Sequence, residues 1–365
     1  MSTYQPSLAD RAQKRAFAAL MRLPARLKRT LAGPPLVIDD APLDLDVQMG
    51  LRILAALKTP EMTELEPTGA RAVLEQESWM FGGPRVEVGE VQDLTIPGRG
   101  GPIPARLYRP PHVGGRLPLL LWFHGGGWVL GSIESHDRLA RAICADAEVA
   151  VLNVGYRLAP EHRFPAAVDD SLDAFRWARE QAADLGIDPA RIGVAGDSAG
   201  GTLAAVVSWT TTRSGEPAPS FQALFVPVTD LAARDTASYR HFASGFFLSA
   251  AEMRWNVDHY LGPDGDGTDP LASPLYAQDL SGLPPTYVAV AGFDVLRDEG
   301  VAYAERLAAA GVPVTLRRHR DAVHPFINIL VTPLGQRALH EAVGAIRAGL
   351  GVGRMRLAGQ DQGRG

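Results

Sequence analysis

Five stretches of this chain are apolar almost without interruption: Leu117–Phe123, Val149–Val154, Ile192–Ala195, Ala223–Val228 and Tyr287–Ala291. A strand with one wet face alternates polar and apolar residues. A run that is apolar on both faces fits a strand buried in a mainly parallel sheet. Helical patterns separate the runs. Glu134–Ala147 follows the first. Val168, Leu172, Phe175 and Ala178 form a stripe after Pro165, Ala199–Trp209 follows the third run, and Val301, Ala304, Leu307 and Ala308 end at Gly311. This alternation predicts an α/β fold with helices on both faces of the sheet. Upstream, Val86–Val91 alternates as a half-buried strand does. Residues 97–102 read as a turn and Ala105–Tyr108 as a second strand. A last strand is expected at Val314–Arg318 or slightly beyond.

The 365 residues are 46% hydrophobic and 21% charged, enough to bury a core without covalent staples. The one cysteine, Cys144, cannot close an intrachain disulfide and suits a reducing compartment. With a net charge of −5, nothing global favours nucleic acid. No run of 18 apolar residues suggests a membrane span, and the start lacks a signal-peptide pattern. The expected location is the cytoplasm.

Residues 1–85 stand apart. Seven basic residues (Arg11, Lys14, Arg15, Arg22, Arg26, Lys28 and Arg29) face one acid, Asp10, in the first 30, and residues 36–66 then turn acidic. Phe17, Leu20, Met21 and Leu27 suggest an amphipathic helix. The reading is a helical cap segment packed on a larger domain at 86–350. Binding to a membrane surface or to DNA is the sharper alternative. After Val228 about 55 residues pass before the next strand. They hold a capping box at Ser249–Glu252, with Leu248 and Met253 as its hydrophobic staple. This predicts a cap insertion at about 230–262, with a helix through Leu261. Residues 351–365 read as a frayed, glycine-rich tail.

Gly196-Asp197-Ser198-Ala199-Gly200 is a G-x-S-x-G motif between a buried strand and a helix. That context makes a nucleophile elbow, a sharp turn that exposes the serine hydroxyl. His124-Gly125-Gly126-Gly127 directly follows an earlier buried strand. Attack on an acyl carbonyl creates an oxyanion, which needs preorganised N–H donors, and backbone amides approach closely where no side chain intervenes. Gly126, Gly127 and Ala199 are the expected donors, with His124 bracing the loop and Gly125 completing its motif. A serine needs a base, and the base an orienting carboxylate, in chain order Ser, acid, His. Asp294 lies three residues past its strand. Asp298 and Glu299 fall in the following helix, where helix-end charge or an ion pair is expected. His319 falls in the last strand's continuation, and His324 in the loop after it. Asp197 is read as a solvent-facing or hydrogen-bonded elbow residue. No cofactor or metal is expected, since no H-E-x-x-H or clustered Cys/His spacing occurs.

From about Val86 to Gly349 the sequence resembles the bacterial hormone-sensitive-lipase-like (family IV) esterases of the α/β-hydrolase fold. The resemblance rests on His124–Gly127, Gly196–Gly201 and Tyr156-Arg157-Leu158-Ala159-Pro160-Glu161. It also rests on Phe164–Ala167 with Asp169-Asp170, Asp269-Pro270 with Ser273-Pro274-Leu275, and Asp294–Gly300. It implies an eight-stranded sheet, a cap built from the N-terminal segment and an insertion after the sixth strand, and a serine carboxylesterase. Ser198, Asp294 and His324 would be its triad, Tyr156–Glu161 a structural brace, and a homodimer a common assembly. Gly155 stands where many members have Asp, and Pro325 where Gly commonly follows the histidine.

The expected substrate is a small ester with a short to medium acyl chain. Trp128, Phe246, Phe247 and Trp255 are taken to wall its pocket. Amide hydrolysis by the same triad is the nearest rival. A ligand-binding receptor, like the plant gibberellin receptors that resemble these enzymes, would lack the histidine that His324 supplies here.

Overall fold

The computed structural model describes residues 4–57, 61–111 and 114–353. The tail expected at 351–365 therefore lies mostly outside the described residues. The N-terminal segment comprises α1 (Leu8–Met21), α2 (Ala25–Ala32), a two-residue-per-strand hairpin of β1 (Val37–Ile38) and β2 (Ala41–Pro42), α3 (Leu45–Leu57) and α4 (Pro67–Phe81). Then follow β3 (Glu90–Gly98), β4 (Gly101–Arg109), β5 (Leu117–Phe123), α5 (Asp137–Ala147), β6 (Ala150–Val154), α6 (Ala166–Glu180), β7 (Ile187–Asp197), α7 (Ala199–Arg213) and β8 (Gln222–Phe225). The short α8 (Ala237–His241) and α9 (Ala250–Leu261) precede β9 (Thr286–Phe293), α10 (Arg297–Ala309), β10 (Val314–Val323) and α11 (Pro333–Gly349).

The main sheet has eight strands in the order β10-β9-β8-β7-β5-β6-β4-β3, with β4 antiparallel to both its neighbours and every other pairing parallel. β5 is buried at all seven positions, as its sequence requires. Proline removes a ladder donor and belongs at strand starts or bulges. Pro118 meets this rule: the β5–β7 register shifts between Leu117 and Leu119.

Several boundaries differ from the sequence reading. The first strand begins at Glu90 rather than Val86, because its inward side chains are Leu94 and Ile96. The expected turn at 97–102 is mostly strand, with Pro97 opposite Pro102 and Gly98 opposite Gly101. α5 starts at Asp137, three residues late. β8 stops at Phe225, where Val226 takes a positive φ of 40°. β7 reaches back to Ile187 through polar residues that gave no strand signal.

After β8, the sixth strand of the sheet, the chain leaves for α8 and α9. The capping box at Ser249 is present: Ser249 Oγ accepts from Glu252 N–H, and Glu252 accepts from Ser249 N–H. At the other end, α1 packs on α4, with Phe17 against Phe81 at 5.0 Å. α2, α3 and the end of α1 share a small separate core of Met21, Ala32 and Met49. Among the described residues no helix is long and apolar enough to cross a membrane.

Candidate active site

Four loops at the carboxyl ends of β5, β7, β9 and β10 meet at one place. β7 turns into α7 with a single residue between them, Ser198, at φ 55° and ψ −122°. A side chain at this left-handed φ is strained, and the turn around it must be tight. A Cβ on Gly200 would lie 1.9 Å from the Phe123 carbonyl oxygen, so only glycine fits there.

β10 delivers the histidine by an irregularity. Its register on β9 runs from His319 opposite Ala291 to Val323 opposite Phe293, so β10 gains two residues. His324 follows at once. Its Nε2 lies 3.0 Å from Ser198 Oγ and its Nδ1 2.8 Å from Asp294 Oδ2. Asp294, 1% exposed, also accepts from Leu296 N–H at 3.0 Å. The structure thus brings Ser198, His324 and Asp294 into one hydrogen-bonded row. Pro325 opens a short 3-10 turn, Phe326–Asn328, and the row forms with proline in place. His319 stays in the strand, buried against Phe326 at 4.6 Å.

The His124–Gly127 loop borders this row. The glycines permit close contacts: a Cβ on Gly125 would lie 2.5 Å from Asp197 Oδ2, and one on Gly127 2.2 Å from the Asn256 amide. Among the described residues the N–H groups of Gly126 and Gly127 donate to no protein acceptor. Ala199 is the first residue of α7, so its N–H has no intrahelical partner. His124 stacks on Tyr156 at 4.2 Å and contacts the Gly125 carbonyl through Nδ1, while Tyr156 Oη donates to the His124 carbonyl. Burial, then the neighbouring His136, pushes His124 down to about 3, so it stays neutral. Arg157 pairs with the fully buried Asp170, and Gly155 N–H reaches Pro104 O at 2.8 Å.

Of its two expected roles, Asp197 takes the hydrogen-bonded one. It is 4% exposed and accepts from Gly125 N–H at 3.1 Å, Asn328 Nδ2 at 2.8 Å and His136 Nε2 at 3.3 Å. Burial alone would raise this carboxyl, but His136 and then Asn328 pull it below the usual carboxylate range. Neither His136 nor Asn328 carried a sequence signal, because their spacing to Asp197 exists only in the fold. Glu299 lies in the first turn of α10, as expected, but is buried. Among the described residues it makes no ion pair. Burial raises it well above the carboxylate range, and one oxygen accepts the N–H groups of Thr229 and Asp230. Asp298 does pair with Arg297, at 2.9 Å.

A cavity of about 190 Å³ opens above Ser198. Met62, Leu74 and Phe81 wall it from the N-terminal segment, and Phe247, Met253 and Trp255 from the segment after β8. Of the four aromatics expected to line it, Phe247 and Trp255 do so. Trp128 does not: at φ 61° its chain turns back, and the indole stacks on Tyr260 at 4.2 Å, fully buried. Phe246 also misses the cavity, packing on Phe242 and Phe293 at 5.3 and 5.6 Å. Two carboxyls face the cavity unannounced, Glu77 from α4 and Glu252 from α9. Burial, then the neighbouring Glu252, raises Glu77 to about 7.

A strained serine with a histidine and a carboxylate in line, at the ends of parallel strands, invites comparison with known proteins. The family described as the alpha/beta hydrolase fold matches residues 120–328. The chain belongs to this family. It is similar to the carboxylic ester hydrolase LipN of Mycobacterium tuberculosis, 43% identical over 337 residues, 90% of this chain and 89% of that protein. It is 41% identical to the ethyl acetate hydrolase of Pseudomonas putida, over 75% of this chain and 87% of the relative. Among solved structures, the ester hydrolase EH1AB1 from the metagenome of Lake Arreo superposes with a TM-score of 0.82 at 40% identity, covering 85% of this chain and 99% of that one.

Proposed function

We propose that the protein is a serine carboxylesterase for short- to medium-chain esters, acting through an acyl-enzyme. The observation that carries this reading is the row Asp294–His324–Ser198, with contacts of 2.8 and 3.0 Å beneath a cavity rimmed by unpaired backbone N–H groups. His324 takes the Ser198 proton as Oγ attacks the ester carbonyl. The N–H groups of Gly126, Gly127 and Ala199 hold the oxyanion, and Asp294 orients and stabilises the imidazolium. His324 then gives the proton to the departing alkoxide, so an alcohol leaves and an acyl-serine remains. Water, deprotonated by His324, releases the acid and restores the serine.

Residues 1–85 and the insertion at about 230–262 serve as the cap, since both wall the cavity. The buried Cys144 fits a reducing compartment, and the cytoplasm is the proposed location. Each acyl methylene buried should contribute about 0.8 kcal/mol until the chain meets Phe247 and Trp255, beyond which overpacking costs about 1–3 kcal/mol. On soluble esters from acetyl to hexadecanoyl, kcat/KM should peak near butanoyl to hexanoyl and fall by decanoyl. A maximum at dodecanoyl or longer overturns the short-pocket reading. Absence of Ser198 labelling by a serine-directed organophosphate overturns the mechanism.

A further inference from the structure

The outer face of residues 8–37 differs from the rest of the described surface. Among the described residues, the exposed large hydrophobic side chains Leu8 (85%), Leu27 (52%), Leu31 (45%), Leu36 (38%) and Val37 (55%) all lie here, and Val91 and Tyr276 alone lie elsewhere. The same stretch holds seven basic residues and one acid. The two lysines turn inward. Lys14 Nζ donates to the Trp79 carbonyl and sits over its ring at 4.3 Å, and Lys28 pairs with Asp46. The acid, Asp10, is occupied by Ser7, Tyr4 and Gln76. The five arginines, Arg11, Arg15, Arg22, Arg26 and Arg29, are exposed, and among the described residues none of them reaches a carboxylate in an ion pair.

This face is held in place from behind. α1 rests on α4 through Phe17 and Lys14, and Gln48 Nε2 on α3 bonds the carbonyls of Ala32 and Pro34. Leu27 and Leu31, four apart on α2, share one helix face. Arg26 and Arg29 are exposed on the same helix, and Arg22 caps α1 shortly before it. We propose that residues 8–37 form a peripheral docking platform for an anionic phospholipid surface, arginines on the phosphates and leucines in the acyl boundary.

Charge complementarity and apolar exposure decide among occupants. A basic face with protruding leucines has the two parts of an interfacial membrane anchor. Nucleic acid would satisfy the arginines and leave the leucines wet. A second copy on a two-fold axis would set this basic patch against itself. Because α1 packs on α4 and α4 walls the cavity, docking would place the bilayer on the same unit that shapes substrate access.

The test is co-sedimentation of the whole protein with vesicles of phosphatidylcholine alone or with about 30 mol % phosphatidylglycerol. Two variants accompany it, Arg22→Glu/Arg26→Glu/Arg29→Glu and Leu27→Ser/Leu31→Ser. Turnover of a short soluble ester, unchanged in both, shows that they are folded. Binding to the anionic vesicles, at least about tenfold weaker to the zwitterionic ones and about tenfold weaker for each variant, supports the platform. No binding by the parent protein to anionic vesicles at low salt overturns it. So does duplex DNA binding as strong as vesicle binding and unaffected by the leucine substitutions, which identifies a polyanion site instead.

Discussion

The floor of the cavity and its walls are built on opposite plans. On the floor, each member of the proposed triad sits just past the carboxyl end of a strand of the main sheet, and backbone geometry selects the glycines around it. The elbow needs Gly200 because a Cβ would meet Phe123 at 1.9 Å, and the oxyanion loop needs glycines because Asp197 and Asn256 lie against it. The walls come instead mainly from one face each of α4 and α9, with Met62 and Phe247 from the segments beside them. The floor is therefore rigid and intolerant of change. The walls can drift in composition while still closing a pocket, so the proposed mechanism puts chemistry and substrate choice on separate parts of the chain.

The sharpest way to break this contrast is at the floor. Ser198→Ala should lower kcat by roughly 10⁴–10⁶-fold with the melting temperature nearly unchanged, leaving only the oxyanion hole and binding. His324→Ala and Asp294→Asn should each lower kcat by roughly 10³–10⁵-fold. His319→Ala should change kcat by less than about tenfold, because that ring packs on Phe326 and only fills space. Comparable loss for His319→Ala and His324→Ala, with both variants folded, would show that the last strand delivers a different histidine.

The next test separates the floor's chemistry from its scaffolding. Asp197 ties three pieces together: the oxyanion loop through Gly125, the His324 loop through Asn328, and His136. Asp197→Asn keeps the shape but turns one acceptor into a donor, which must face at least one of three donors. Buried hydrogen bonds to a charged group contribute about 1.5–3 kcal/mol. A misplaced oxyanion loop should therefore cost kcat roughly 10–100-fold, with KM moving less than about threefold. If the melting temperature falls while kcat holds, Asp197 is a structural tie and does not position the reacting groups.

The same contrast explains what the sequence could tell. The apolar runs and the motifs at 124–127 and 196–200 place the sheet, the elbow and the oxyanion loop because they are short and set by the backbone. Asp294 and His324 follow from chain order. The His136–Asp197–Asn328 contacts were illegible, since residues 61 and 131 positions from Asp197 meet only in the folded chain. Trp128 was misplaced because the φ of 61° that turns it under α9 has no signature in a tryptophan. Phe246 and Phe247 are neighbours in sequence, yet one joins the core and the other the cavity. Phe247, too, has a positive φ of 67°.

The smallest expected effect probes how dry the walls are. On the floor, Asp197 is buried yet kept ionised by N–H donors. In the wall, no such donor reaches Glu77 among the described residues, and burial beside Glu252 raises it from 4.5 to about 7. The folded chain therefore holds this proton more tightly than the unfolded chain does. Stability linked to Glu77 is full below pH 4.5, declines as pH rises from 4.5 to about 7, and stays low above that. Glu77→Gln removes the titration. The variant should match the parent near the acid end of this window and exceed it on the alkaline side. Discounted for the side chain's partial exposure to the cavity, the gain should be roughly 1–2 kcal/mol, or about 2–4 °C in melting temperature. Melting both proteins at several pH values across the window measures this directly. A gain that does not vary with pH would mean that water reaches Glu77 freely, and that the walls close over the floor less tightly than their packing requires.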